Sequence, residues 1–197
     1  MRIIAGEFRG RSLKAPKGEG TRPTADRVRE SMMSAVASAR GGFEGAVVLD
    51  AFAGSGALGI EALSRGARCA HFYERAGEAS RALLANVQAI GLEPRRARVC
   101  RADVVKDPPV RARPPFDLVF LDPPYAYPAT EALDIVARLR AAGALADGAI
   151  VVYEHAAGDE AQTDEAAKAR DLSLARRKKY GDTVVDVLRA VREEDAG

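Results

Sequence analysis

Short apolar runs alternate with helix-length segments through the middle of the chain, and this alternation limits the fold more than any other feature. Runs of strand length occupy residues 46–50, 70–74, 96–101, 116–121 and 149–153. Helical patterns occupy residues 58–65, 76–90 and 130–142. Buried strands separated by helix-length segments indicate a parallel sheet with helices on both faces. The predicted fold is therefore α/β.

The two ends of the chain depart from this alternation. Residues 2–14 are typical of a small β-hairpin that turns near Gly6, and Pro23 precedes a helix predicted from Thr24 to about Ser38. Residues 172–178 and 183–191 are predicted to be two further strands, which would complete a seven-stranded, mostly parallel, Rossmann-like sheet with an antiparallel edge hairpin. The stretch 156–170 is predicted to be a loop or a short solvated helix.

The apolar runs and the cysteines favour a cytoplasmic globular protein. The N-terminus has no apolar run of signal-peptide length, and the apolar stretches are far shorter than a membrane span. Cys69 and Cys100 lie in strand-like runs, which predicts buried, reduced thiols. Neither cysteine is spaced for zinc with His71 or His155, so we expect no metal site.

Basic residues are concentrated near the two ends, although the formal net charge is only +2. Residues 1–30 contain eight Lys and Arg against four Asp and Glu, and a second cluster runs from Arg176 to Lys179. Two basic regions on a nearly neutral protein indicate a polyanionic partner. Ordinary solubilising charge would explain the same pattern.

A glycine-rich segment follows the first predicted strand. The spacing Gly54-x-Gly56-x-x-Gly59 matches the dinucleotide-binding fingerprint, and Glu74 lies 20 residues beyond Gly54, where a ribose-binding acid belongs. A nicotinamide-dependent oxidoreductase is therefore one hypothesis.

Acidic residues at successive strand ends favour a different cofactor. Asp50 would repel a pyrophosphate but attract the ammonium and sulfonium groups of S-adenosylmethionine, and Asp103 is placed for an adenine amino group. Glu74 and Asp103 could instead only cap helices. The predicted S-adenosylmethionine-binding residues are Asp50, Phe52, Gly54, Ser55, Gly56, Glu74 and Asp103.

The fourth predicted strand ends in a candidate catalytic segment, Asp122-Pro123-Pro124-Tyr125. Consecutive prolines make a rigid loop, and a carboxylate and a backbone carbonyl that accept both N–H bonds of an exocyclic amine would favour its attack on a methyl group. Tyr125 offers an aromatic face on which a base can stack. The other interpretation is a proline-stiffened turn with Tyr125 as a packing residue.

Over nearly its full length the chain resembles the RsmD-like family of class I methyltransferases, which modify a guanine N2 amino group of bacterial 16S ribosomal RNA. The matching residues are Met1-Arg2-Ile3-Ile4-Ala5-Gly6, Arg9-Gly10-Arg11, Arg22-Pro23-Thr24-Ala25-Asp26-Arg27-Val28-Arg29-Glu30, Leu49 to Ala67, Phe120-Leu121-Asp122-Pro123-Pro124-Tyr125 and Tyr180-Gly181-Asp182-Thr183. Two departures are mild: Ser31-Met32-Met33-Ser34 stands where the family has Ala-Leu-Phe-Asn, and Ala51 stands where it has Leu.

The resemblance implies a class I methyltransferase domain at residues 39–197, preceded by a hairpin and helix at residues 1–38 that contact RNA. It implies a substrate inside the small ribosomal subunit or its assembly precursor, and we expect the enzyme to be a monomer. The predicted RNA-binding residues are Arg9, Arg11, Arg22, Thr24, Arg27, Lys178 and Lys179. Pairing of Arg22, Arg27 and Arg29 with Asp26 and Glu30 along the helix is the alternative role for these arginines.

Two further hypotheses stay open beside guanine-N2 methylation and the oxidoreductase. A DNA adenine-N6 methyltransferase would use the same Asp-Pro-Pro-Tyr segment, although the chain has no evident domain for recognising a DNA duplex. A non-catalytic RNA-binding module would use only the basic residues.

Overall fold

The computed structural model describes residues 1–15 and 26–191, and at its centre lies one seven-stranded sheet. The strands are β1 (Val47–Asp50), β2 (Cys69–Tyr73), β3 (Ala97–Cys100), β4 (Phe116–Leu121), β5 (Leu145–Ala156), β6 (Leu172–Tyr180) and β7 (Thr183–Ala190). Their order across the sheet is β3-β2-β1-β4-β5-β7-β6. Strands β1 to β5 pair in parallel, while β7 is antiparallel to both of its neighbours. The predicted mostly parallel, seven-stranded sheet with an edge hairpin is therefore confirmed.

Helices cover both faces of the sheet. They are α1 (Asp26–Arg40), α2 (Ala57–Ser64), α3 (Gly77–Ile90), α4 (Ala129–Ala141) and α5 (Glu160–Lys168). Helices α1, α2 and α3 share one hydrophobic core cluster with one face, represented by Val48, Phe120 and Val152. Helices α4 and α5 share a second cluster with the other face, represented by Leu49 and Leu121. The alternation of side chains along each strand separates the two clusters.

Several boundaries differ from the sequence predictions. Strand β5 begins at Leu145 and continues to Ala156, well beyond both ends of the predicted run 149–153. Of the two predicted states for residues 156–170, the structure has the helix, α5. This helix buries Thr163, Ala166 and Ala167 against the sheet, so it is not simply solvated. Its many alanines conceal this packing face in the sequence.

The two cysteines differ from their prediction in one respect. Cys69 and Cys100 are free thiols, but both are half-buried instead of buried. Cys100 ends the edge strand β3, where no further strand covers it.

The N-terminal segment, residues 1–15, folds back on itself as predicted, but its hairpin is minimal. A single antiparallel bridge joins Arg2 to Ser12, because consecutive turns occupy residues 5–10. Helix α1 follows and continues to Arg40, two residues beyond the predicted end at Ser38. The predicted start of this helix at Thr24 lies outside the described residues.

Two side chains of α2 hold the N-terminal segment against this helix. The buried carboxylate of Glu61 accepts hydrogen bonds from the Ile4 and Ala5 N–H groups at 2.9 and 3.1 Å. The Ser64 hydroxyl oxygen accepts from the Phe8 N–H at 3.0 Å, and the hydroxyl donates to the Ala5 carbonyl at 2.6 Å. The N-terminal segment therefore packs, through α2, on the core that covers one face of the sheet.

Within the described ranges, 1–15 and 26–191, none of the helices has the length and apolar character that a membrane crossing would need.

Candidate active site

A crevice opens at the carboxyl ends of β1 and β4, where the strand order reverses. Open α/β sheets bind ligands at such a reversal. The cavity has a volume of about 280 Å³. It is lined by ten of the predicted cofactor-binding and catalytic residues: Asp50, Phe52, Gly54, Ser55, Glu74, Asp103, Asp122, Pro123, Pro124 and Tyr125. The fold thus brings both predicted groups of residues into one cavity.

Asp50 lies at the floor of the crevice, at the end of β1. Its Oδ2 accepts a hydrogen bond from the Gly59 N–H at 2.9 Å, which fixes the first turn of α2 against the strand. Burial raises the pKa of Asp50 to about 7, and the nearby carboxylates of Asp122 and Glu74 act in the same direction. A cationic ligand beside Asp50 would stabilise its ionised form.

The glycine loop, residues 51–56, follows Asp50, and its two predicted glycines have different surroundings. A Cβ at Gly54, where φ is +53°, would meet nothing within 4 Å, so this backbone faces open space in the crevice. A Cβ at Gly56, where φ is +82°, would lie 2.3 Å from Leu83 Cδ1. Gly56 is therefore required for packing of the loop on α3, and it is not among the crevice-lining residues.

Glu74 and Asp103 both bind backbone N–H groups. Glu74 Oε2 accepts from the Gly54 N–H at 2.9 Å, and its Oε1 accepts from the Ala76 N–H at 2.6 Å, at the start of α3. Asp103 Oδ1 accepts from the Val105 N–H at 3.1 Å. A carboxylate has about four acceptor positions, so each can hold its loop and still accept a ligand hydroxyl or amino group.

Arg75 and Tyr127 lie in the same crevice, although neither was predicted from the sequence. The Arg75 guanidinium donates to the Tyr127 hydroxyl at 2.6 Å and lies 3.6 Å from Asp103 Oδ2. The Tyr127 ring packs against Phe52 with centroids 5.9 Å apart. Proximity to Glu74 and to the catalytic segment was the available clue, since Arg75 follows Glu74 directly and Tyr127 lies two residues after Tyr125.

The catalytic segment leaves β4 at the opposite side of the crevice. Removal from water raises the pKa of Asp122 to about 6. The Pro124 carbonyl accepts from the Tyr127 N–H at 2.9 Å. Within the described part of the chain, the Pro123 carbonyl has no such donor, so this oxygen can accept from a ligand. Tyr125 is 48% exposed, and its hydroxyl lies 2.7 Å from Thr183 Oγ1 at the start of β7.

Arg29 of α1 also lines the crevice, whereas the predicted Arg27 is exposed on the helix. The Arg29 side chain is 1% exposed, and its Nη2 donates to Asp26 Oδ1 at 3.0 Å and to the Arg2 carbonyl. Its Nε lies 3.9 Å from Glu61 Oε2. The expected i,i+3 pair with Asp26 is thus present, but it does not account for the burial of Arg29 in the site.

The predicted basic residues of the N-terminal segment are both exposed. Arg9 makes no side-chain hydrogen bond within the described residues, while Arg11 donates to the Ile90 carbonyl at 2.9 Å and lies over the Phe8 ring. Two other predicted RNA-binding residues, Arg22 and Thr24, lie outside the described residues.

The basic run Arg176 to Lys179 does not form one patch, because side chains alternate along β6. Lys178 donates to Ser31 Oγ of α1 at 2.8 Å, on the face of the sheet that carries the N-terminal segment. Arg177 and Lys179 lie on the opposite face, where Arg177 binds Asp164 and Asp186 and Lys179 lies near Glu160. The single basic cluster inferred from the sequence is therefore divided between two faces.

Comparison with known proteins places the chain that forms this crevice in a family. A model of the family described as conserved hypothetical protein 95 matches residues 1–189. The chain is 35% identical over 189 residues to a Bacillus subtilis protein named "Putative rRNA methyltransferase YlbH", with 95% of this chain and 97% of that protein covered. It is 38% identical over 154 residues to "Ribosomal RNA small subunit methyltransferase D" of Escherichia coli strain K12, with 78% and 74% covered.

A solved structure agrees with both sequence comparisons. The protein named "Putative methyltransferase yhhF from Escherichia coli" superposes with a TM-score of 0.77 at 32% identity, covering 98% of this chain and 99% of that one. Together with the strand order and the crevice, these matches show that the chain belongs to the conserved hypothetical protein 95 family, the RsmD family of class I methyltransferases.

Proposed function

We propose that this protein transfers the methyl group of S-adenosylmethionine to the N2 amino group of a guanine in 16S ribosomal RNA of the small subunit. One observation supports this function above the others: the catalytic segment and the acid-flanked glycine loop line a single crevice in a chain of the RsmD family. The names of its relatives, ribosomal RNA small subunit methyltransferases, support the same substrate.

The residues of the crevice suit S-adenosylmethionine. Gly54 leaves open space where a side chain would obstruct an amino acid moiety, and the buried Asp50 carboxylate suits its ammonium group. Glu74 has remaining acceptor positions for ribose hydroxyls, and Asp103 for the adenine amino group. Phe52 and Ser55 lie beside these groups in the same cavity.

S-adenosylmethionine, when bound, supplies an electrophilic methyl group: a nitrogen–carbon bond forms as the carbon–sulfur bond breaks, and the electron pair stays on sulfur. The protein has to make the amine nucleophilic. Asp122 and the Pro123 carbonyl accept the two N–H bonds of N2, which withdraws the nitrogen lone pair from the ring and directs it outward. Asp122 then takes up the proton that N2 loses. Tyr125, half-exposed at the mouth of the crevice, provides a face for stacking the base.

The RNA-contacting extension is the second part of the proposal. The described parts of this extension, 1–15 and 26–38, contain the exposed Arg9 and Arg27, and their Met1, Ala15 and Arg29 line the crevice. Lys178 adds a further cation next to α1. Arg22 and Thr24 complete the predicted set. Contacts with phosphates would position the RNA while the crevice receives a base that has been turned out of its stack. The enzyme would act as a monomer in the cytoplasm, on the small subunit or its precursor.

Methyl transfer to defined acceptors tests the function. Small subunits from a strain without the family enzyme, and unmethylated DNA, are incubated with tritiated S-adenosylmethionine and then digested to nucleosides. We expect label in N2-methylguanosine from the subunits, and none with the Asp122→Ala variant. Label in N6-methyladenosine or in DNA alone would overturn the proposal.

The oxidoreductase alternative is separated by calorimetry. S-adenosylhomocysteine should bind and NADH should not, because Asp50 would repel a pyrophosphate. Tight binding of NADH alone would contradict the methyltransferase assignment.

A further inference from the structure

We propose that Glu154 recognises the N1–H group of the target base beside Asp122, and so selects guanine over adenine. This inference rests on the proposed function and adds the residue that chooses the base. The catalytic segment cannot make this choice, because its carboxylate and carbonyl would accept the N–H bonds of any exocyclic amine.

Glu154 lies next to Asp122 across the sheet. Leu121 of β4 pairs in register with Tyr153 of β5, so Asp122 and Glu154 follow at the same level of two neighbouring parallel strands. Phe120 and Val152, two residues earlier, both lie in the core cluster on the α1 face. Because side chains alternate, Asp122 and Glu154 project to that face too.

Glu154 is a buried part of the crevice. It is 8% exposed and lines the same cavity as Asp122 and Pro123. Adjacent strands lie about 4.8 Å apart. Two carboxylates at that spacing can accept from neighbouring N–H groups of one base edge.

The two neighbouring carboxylates match guanine. The Watson–Crick edge of guanine presents two adjacent donors, N2–H and N1–H, from which Asp122 and Glu154 can accept. Adenine, with N6 at Asp122, would turn its N1 lone pair toward the Glu154 carboxylate. Such a mismatched polar contact in a buried site excludes the wrong base.

Base analogues separate this role from a general contribution to catalysis. Small subunits are reconstituted with 16S ribosomal RNA, joined by ligation, that carries either guanine or 2-aminopurine at the target position. 2-Aminopurine keeps the N2 amino group but has a lone pair at N1 and no oxygen at position 6. The ratio of kcat/KM for the two acceptors is measured for the wild type, for Glu154→Gln and for Glu165→Gln, which alters an exposed carboxylate of α5.

The wild type should prefer guanine by on the order of 10⁴-fold. Glu154→Gln should reduce this preference by about 100-fold or more, because an amide can donate to the N1 lone pair of the analogue. Glu165→Gln should leave the preference unchanged. Thermal unfolding of each variant confirms that it is folded.

Each other outcome overturns the inference. If Glu154→Gln loses activity equally on both acceptors, or only raises KM for S-adenosylmethionine, Glu154 does not contact N1. Transfer from the wild type to guanine must be seen in either case, and its absence would overturn the proposed function as well.

Discussion

The carboxylate of Glu74 joins the end of β2 to the glycine loop, because its Oε2 accepts a hydrogen bond from the Gly54 N–H at 2.9 Å. Its other oxygen accepts from the Ala76 N–H at 2.6 Å. One side chain therefore sets both the position of the loop and the start of α3, and the proposed cofactor site depends on both contacts.

Glu74→Gln should weaken binding of S-adenosylhomocysteine by about 10-fold, since an amide has one oxygen where the carboxylate uses two, and it has no charge for a ribose hydroxyl. Isothermal calorimetry measures the effect. Glu78→Gln, an exposed acid in the first turn of α3, is the matched control and should bind as the wild type does. Equal affinities for the two variants would contradict the role of Glu74.

Asp122→Asn should lower kcat for methyl transfer by about 100-fold or more, because the variant loses the charge that withdraws the amine lone pair and the group that takes up the proton. Affinity for S-adenosylhomocysteine should stay within a few-fold, since Asp122 contacts the base and not the cofactor in the proposed mechanism. Single-turnover transfer and calorimetry check the two parts. Asp147→Ala, at an exposed carboxylate in the first part of β5, should leave both values unchanged. Retained turnover in Asp122→Asn would remove Asp122 from the mechanism.

The raised pKa of Asp50 predicts how the stability of the ligand-free protein depends on pH. Burial raises that pKa from 3.8 to about 7, so between these values the folded state binds a proton that the unfolded state has released. Stability should therefore fall as pH rises from about 4 to about 7.

Asp50→Asn replaces the titrating carboxyl group with an amide, which keeps an oxygen to accept from the Gly59 N–H. From pH 5 to pH 8, the free energy of unfolding of the variant should rise relative to that of the wild type by at least about 1 kcal/mol. Urea unfolding at the two pH values measures the difference. If the free energies of unfolding of the two proteins change by the same amount between these pH values, Asp50 is ionised in the folded state throughout.

Lys178 and Lys179 are adjacent in sequence but should differ in RNA binding. Lys178 lies beside α1 on the face of the N-terminal segment, and Lys179 lies on the face that carries α5. Lys178→Ala should raise KM for small subunits several-fold and lower the salt dependence of binding by about one charge. Lys179→Ala should change KM less than about two-fold. A larger effect for Lys179 would place the RNA on the other face.

The sheet and most of the crevice are predictable from the sequence because both depend on local pattern. Apolar runs mark buried strands, and acids just after them, such as Asp50 and Asp122, are brought together wherever parallel strands end. Glu154 follows the predicted run 149–153 in the same way, although β5 itself continues to Ala156. The rule would have identified it had it been applied to β5, where the predicted strand stops one residue short of it.

The remaining differences depend on tertiary packing. Nothing in the run Arg27-Val28-Arg29 shows that Arg29 is buried and Arg27 exposed, since this is decided by the rotation of α1 on the sheet. The faces of the sheet on which Lys178 and Lys179 lie can be assigned only once the register of β6 is known. Gly56 has the same local signature as Gly54, and only the position of Leu83 reveals that it serves packing.

The position of Met1 affects how this enzyme should be produced. Met1 lines the crevice, and its carbonyl accepts from the Leu13 N–H at 3.0 Å, which fixes Met1 there. An affinity tag joined ahead of Met1 would therefore emerge from the crevice that receives the base in the proposed reaction. We expect such a tag to lower turnover without altering any residue of the site.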